Sequence, residues 1–104
     1  MVIHATDKDF NEILSTNNKV VVKYFADWCG TCKLFAPKFR RMSEDESFNG
    51  VTFVEVNAEE NPEARKAAKV SNLPYMAVFK DGQLLESVAT AKEDVIKEMI
   101  DKLN

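Results

Sequence analysis

Cys29 and Cys32 are the only cysteines of the chain, and they stand three residues apart in Cys29-Gly30-Thr31-Cys32. A pair this close can exchange electrons with a disulfide through a thiolate, or supply soft ligands to a metal. A structural bridge is the weaker reading, because closing so short a loop removes little chain entropy. Zinc is also poorly served. A structural site wants four ligands, and His4, the one histidine, lies far away in the sequence. His4 precedes the first helix and is expected on the surface, with a cysteine–histidine catalytic pair as the alternative.

The segments around the pair indicate how it is positioned. Val20 to Ala26 is a nearly continuous β-branched and aromatic run, as a strand buried on both faces requires. Asp27 to Thr31 is the loop that follows. A helix is expected from about Cys32 to Asp45, with Phe35, Phe39 and Met42 on one face and Pro37 inside it. Active sites of open α/β sheets gather at the carboxyl ends of strands. A helix start also offers free N–H groups and a partial positive charge, both of which stabilise a thiolate. Cys29, just before the helix, is therefore the expected exposed nucleophile. Cys32, inside the first turn, is the expected resolving thiol.

Lys23 interrupts the first buried run, and Glu55 interrupts a second, Val51 to Val56. A lone buried charge is costly, but opposite charges on adjacent strands can pair. Either the two edge out to solvent past the sheet, or they pair with each other.

The remaining elements follow from local signals. Val2-Ile3 reads as an edge strand. Thr6 reads as the cap of a helix carrying Phe10, Ile13 and Leu14, with Asp7 and Asp9 in its first turn. Asn61-Pro62 opens a short helix. Tyr75 to Phe79, Asp81-Gly82 and Gln83 to Val88 form a hairpin pattern. Thr90 to Glu93 is a capping box opening a last helix with Val95, Ile96, Met99, Ile100 and Leu103. Alternating strands and helices imply an α/β fold, a central mixed β-sheet flanked by helices on both faces, with parallel strands and a C-terminal antiparallel hairpin. Residues 1–104 are expected to form a single domain.

The net charge of −3 offers no basic stripe for nucleic acid or an anionic membrane. The acidic run Glu44-Asp45-Glu46 is expected to be a solvated helix end, with a docking patch as the alternative. No apolar run is long enough to span a membrane, and the first residues lack a signal-peptide layout, so a cytoplasmic protein is expected.

The segment Phe25-Ala26-Asp27-Trp28-Cys29-Gly30-Thr31-Cys32-Lys33, with Pro37 beyond it, resembles the active-site segment of the thioredoxin family. Leu73-Pro74 is similar to that family's Ile-Pro, whose peptide bond is cis, and Phe79-Lys80-Asp81-Gly82 to its hairpin turn. The resemblance implies the thioredoxin fold and a protein-disulfide reductase. Cys29 and Cys32 would form its redox disulfide, with no bound cofactor and no metal. It implies electrons from NADPH through a flavin-containing thioredoxin reductase. The expected partners are that reductase and disulfide-containing target proteins, met by a monomer. Trp28 is expected at the rim against the target. Gly30, Thr31, Leu73, Pro74 and Tyr75 complete the target-facing set, with backbone beside Pro74 offered for strand-like pairing.

Four departures from the family stand out. Thr31 replaces the usual proline between the cysteines, which restores a backbone N–H. Lys23 and Glu55 exchange the polarity of the family's buried Asp and its Lys; as the family's ionisable pair reversed, the resemblance would make Glu55 the candidate base for Cys32 and have Lys23 favour thiolates. Tyr75 follows Pro74 where Thr is typical, and Thr90 and Asn72 stand where glycines are common. A more oxidising exchanger, a binding module that merely retains the cysteines, and a metal or iron–sulfur site between two chains are the competing readings.

Overall fold

The computed structural model describes residues 1–104. In chain order the elements are β1 (Val2–Ala5), α1 (Phe10–Thr16), β2 (Lys19–Phe25), α2 (Gly30–Ser43), a 3-10 turn (Glu46–Phe48), β3 (Thr52–Asn57), α3 (Pro62–Ala67), β4 (Tyr75–Lys80), β5 (Gln83–Ala89) and α4 (Glu93–Asp101). The sheet order is β1-β3-β2-β4-β5. β1, β3 and β2 run parallel, and β4 and β5 are antiparallel additions. This is the mixed sheet with a closing hairpin that the sequence implies.

β2 lies at the centre because its residues can be buried on both faces. Val20, Val22 and Tyr24 pack with Phe10 and Leu14 of α1 and Ala64 of α3. Val21 packs on the opposite face with Phe35 and Phe39 of α2 and Ile96 and Met99 of α4. The hairpin turn is made by Asp81 and Gly82 at φ 51° and 82°, the left-handed pair that a two-residue turn between twisted strands demands.

The structure corrects several local expectations. α1 begins at Phe10, not after Thr6. Thr6 to Asp9 instead form a preceding turn, in which Asp9 Oδ1 accepts the Thr6 N–H at 2.8 Å. Asp7 does not serve α1. Its carboxylate reaches across to α3, accepting the Ala64 N–H at 2.8 Å and the Glu63 N–H at 3.2 Å. Asn61 is then free to accept the Asp7 N–H at 2.8 Å and to donate to the Asn57 carbonyl at 3.0 Å. The capping box before α4 does not form. The Thr90 hydroxyl accepts the N–H of Lys92, two residues on, and closes a local turn before the helix starts at Glu93. The acidic run is a solvated helix end. Asp45 caps the 3-10 turn by accepting the Ser47 N–H and hydroxyl, and these bonds hold its carboxyl below the usual carboxylate range.

Because Asp7 ties the β1–α1 loop to the start of α3, Asp7→Ala is expected to lower unfolding stability by about 1–2 kcal/mol. Asp7→Asn should lose less. Urea denaturation checks this: the midpoint should fall while the slope with denaturant is unchanged.

Candidate active site

The strand-to-helix junction after β2 places the two cysteines. Cys29 is the N-cap of α2, which starts at Gly30, two residues earlier than expected, and the Cys29 Sγ accepts the Cys32 N–H at 3.2 Å. The Cys29 N–H donates to Ala26 O at 3.1 Å, which fixes the turn. The backbone N–H groups of Gly30 and Thr31 lie at the free end of the helix and make no bond within the chain. Cys29 and Cys32 are joined by a disulfide. In this form Cys29 is not the open side chain expected: it is 5% exposed against 3% for Cys32. The disulfide and the Cys32 N–H draw its sulfur back over the helix start.

Trp28 is 69% exposed and belongs to no core. Its indole Nε1 donates to Glu59 Oε1 at 2.9 Å, which orients the ring at the rim. The Leu73–Pro74 peptide is cis, as the resemblance implies. Tyr75 differs from expectation. Its side chain is buried in the core facing α1 and α3, and its hydroxyl lies 3.4 Å from Ser87 Oγ. Alternation along β4 turns Tyr75 to one face and Met76, the register partner of Lys23, to the other.

Cys32 lines a cavity of about 250 Å³ shared with Lys23, Glu55, Asp27, Lys33 and Arg40. Lys23 and Glu55 are register partners on β2 and β3, with Nζ 3.7 Å from Oε1. The pair is therefore made, but unequally. Lys23 is 3% exposed, whereas the Glu55 side chain keeps 31% of its surface in solvent. Lys23 Nζ also sits 5.4 Å from the ring centroids of both Phe25 and Phe39. Burial pulls the Lys23 pKa below lysine's ordinary 10.5; the charge and hydrogen bond of Glu55 oppose this, and the Arg40 charge adds to it.

Two contributors were not singled out by sequence reasoning: Arg40 lines the cavity and Glu59 holds Trp28. His4 is exposed, as expected, but it is also bonded: its Nδ1 lies 3.1 Å from Glu55 Oε2. Its signal was present, since His4 and Glu55 each break an apolar strand run and are register partners on β1 and β3.

Comparison with known proteins agrees with this geometry. The thioredoxin family model matches residues 1–102. A thioredoxin from Mycoplasmoides gallisepticum is 31% identical over 99 residues, covering 93% of this chain and 97% of the relative. Thioredoxin H2 of Arabidopsis thaliana is 34% identical over 94 residues, covering 90% and 69%. Among solved structures, Plasmodium falciparum thioredoxin superposes with a TM-score of 0.87 at 28% identity, covering 98% of this chain and 99% of that one. Spinach chloroplast thioredoxin f gives 0.89 at 27% identity, covering 98% and 92%.

A mixed α/β sheet that presents a disulfide-forming cysteine pair where its central strand meets a helix defines a thiol–disulfide oxidoreductase. The chain belongs to the thioredoxin family, and its activity is protein thiol–disulfide exchange on disulfide-containing targets. Members of this family carry no cofactor themselves. No group of three or more His, Cys, Asp or Glu is arranged to hold a metal, and no helix is long and apolar enough to cross a membrane.

Because the Lys23 pKa is lowered on folding, its charged form opposes the fold. The unfolded chain binds the extra proton between the lowered value and 10.5, so Lys23 makes stability rise with pH across that window. Lys23→Met should therefore be more stable than the parent at neutral pH, by about 1 kcal/mol, because Glu55 is partly solvated and is not left as a stranded buried charge. The gap should close as pH approaches lysine's ordinary value, which chemical denaturation from neutral to alkaline pH checks.

Proposed function

We propose that residues 1–104 act as one thioredoxin domain that reduces target disulfides, with Cys29 as nucleophile and Cys32 as resolving thiol. The observation that carries the reading is the position of Cys29 at the cap of α2, its sulfur already accepting a helix N–H at 3.2 Å. A sulfur held this way is stabilised as a thiolate. The free N–H groups of Gly30 and Thr31 add to that field.

The Cys29 thiolate attacks a target disulfide. A Cys29–target S–S bond forms, and the other target sulfur leaves as a thiolate and takes a proton from water. Cys32 then gives its proton to Glu55 across the shared cavity and attacks Cys29 Sγ. The Cys29–Cys32 bond forms, and the second target sulfur leaves and is protonated. The target gains two electrons and two protons, and the chain ends as the disulfide. Lys23 acts on this step through Glu55, whose carboxylate it holds beside the cavity. Trp28, Leu73 and Pro74, with the backbone of Tyr75, form the edge that meets the target. Electrons return from NADPH through a flavin-containing thioredoxin reductase, and the protein works as a cytoplasmic monomer.

Insulin reduction tests the role assignment. Cys29→Ser should abolish turnover. Cys32→Ser should accumulate a mixed disulfide on Cys29, visible by mass spectrometry. Trapping on Cys32 in the Cys29→Ser variant would reverse the roles.

The proton step has its own test. General-base assistance is typically worth 10²–10⁴-fold, and water in the cavity lowers this. Glu55→Gln is expected to slow resolution about tenfold or more in rapid-mixing kinetics while leaving the first attack nearly unchanged. Resolution at the parent rate would make Glu55 a structural partner of Lys23 only.

A further inference from the structure

His4, Glu55 and Lys23 stand side by side on β1, β3 and β2, in register across three parallel strands. The Glu55 carboxylate is divided between them: Oε2 lies 3.1 Å from His4 Nδ1, and Oε1 lies 3.7 Å from Lys23 Nζ. The row is graded in exposure. The Lys23 side chain is 4% exposed, Glu55 31% and His4 54%. One end faces the cavity beneath Cys32, and the other end faces water. The His4 ring is further held by Phe25, tilted against it at 6.3 Å between centroids.

We propose that His4 is a positioning residue for Glu55, setting by its own charge how readily that carboxylate takes the Cys32 proton. The inference rests on the reading of Glu55 as the base. Histidine is the side chain whose charge ordinarily changes between about pH 5 and 8. An imidazolium beside Oε2 stabilises the ionised carboxylate and makes it a poorer proton acceptor. A neutral imidazole withdraws that restraint. Once Glu55 holds the Cys32 proton, the same contact offers the proton a half-exposed group that can release it to solvent. The other charged groups around the row are Lys23 on β2, Lys33 and Arg40 on α2, and Asp27 in the loop between them. Burial lowers the Lys23 pKa, but Lys23 is present in parent and variants alike, so a comparison of substitutions at His4 isolates the histidine.

The test measures the first-order resolution step in single turnover with saturating insulin, across about pH 5 to 8, for the parent, His4→Gln and His4→Lys. The parent rate should rise with pH roughly twofold more than that of His4→Gln, because a half-exposed ion pair is weak and proton transfer feels only part of it. His4→Gln, permanently neutral, should hold the faster rate at the acid end of the range. His4→Lys, permanently cationic, should stay at the slower rate at the alkaline end. Three superimposable profiles, with Glu55→Gln still slow, would overturn the role of His4 and leave Glu55 as the base. Resolution by Glu55→Gln at the parent rate would overturn both readings together.

Discussion

A lysine ammonium almost wholly removed from water, on the sheet's central strand and lining the cavity it shares with Cys32, is the condition the rest of the site must meet. An isolated buried cation would cost several kcal/mol even after relaxation. Lys23 meets that cost with three partners: the Glu55 carboxylate at 3.7 Å and two aromatic faces, Phe25 and Phe39, each at 5.4 Å. Each contribution is modest, about 0.5–2 kcal/mol for a cation over a ring. Their sum does not restore the ordinary affinity of Lys23 for its proton, and the site therefore keeps a cation that is held but not comfortable.

The fold supplies this arrangement through register. Parallel pairing puts Lys23 opposite Glu55 and Glu55 opposite His4, so one strand slip would disperse the row. The α2 start then brings Cys32 over the same cavity, because Cys29 caps the helix and commits the next turn inward. The carboxylate of the pair stands on the strand nearer the edge, where it is partly solvated and where a histidine on β1 can reach it.

The central strands, the cysteine junction and the hairpin were legible in the sequence because each has a local cause: a long β-branched run, a helix start, an Asp-Gly turn. The opposition of Lys23 and Glu55 was legible as well, since two charges interrupting two buried runs need each other. Long-range partners were not. Asp7 looks like a first-turn acid for α1, yet it caps α3 more than fifty residues away. His4 looks like a lone surface residue until the pairing of β1 with β3 is known. Tyr75 was misjudged for a reason the sequence did contain. Strand alternation sends it to the face away from Met76 and Lys23, and only its place after Pro74 suggested otherwise.

The account stands on Lys23 acting on the chemistry through Glu55 rather than independently. A double-mutant cycle on the resolution step measures this directly, with Lys23→Met introduced into the parent and into a Glu55→Gln background. The predicted result is that Lys23→Met, which removes the cation beside Oε1 and so makes Glu55 a better proton acceptor, raises the rate of resolution at neutral pH in the parent and has no such effect once Glu55 is a glutamine. An equal change in both backgrounds would contradict the account, because Lys23 would then act on the cysteines without the carboxylate.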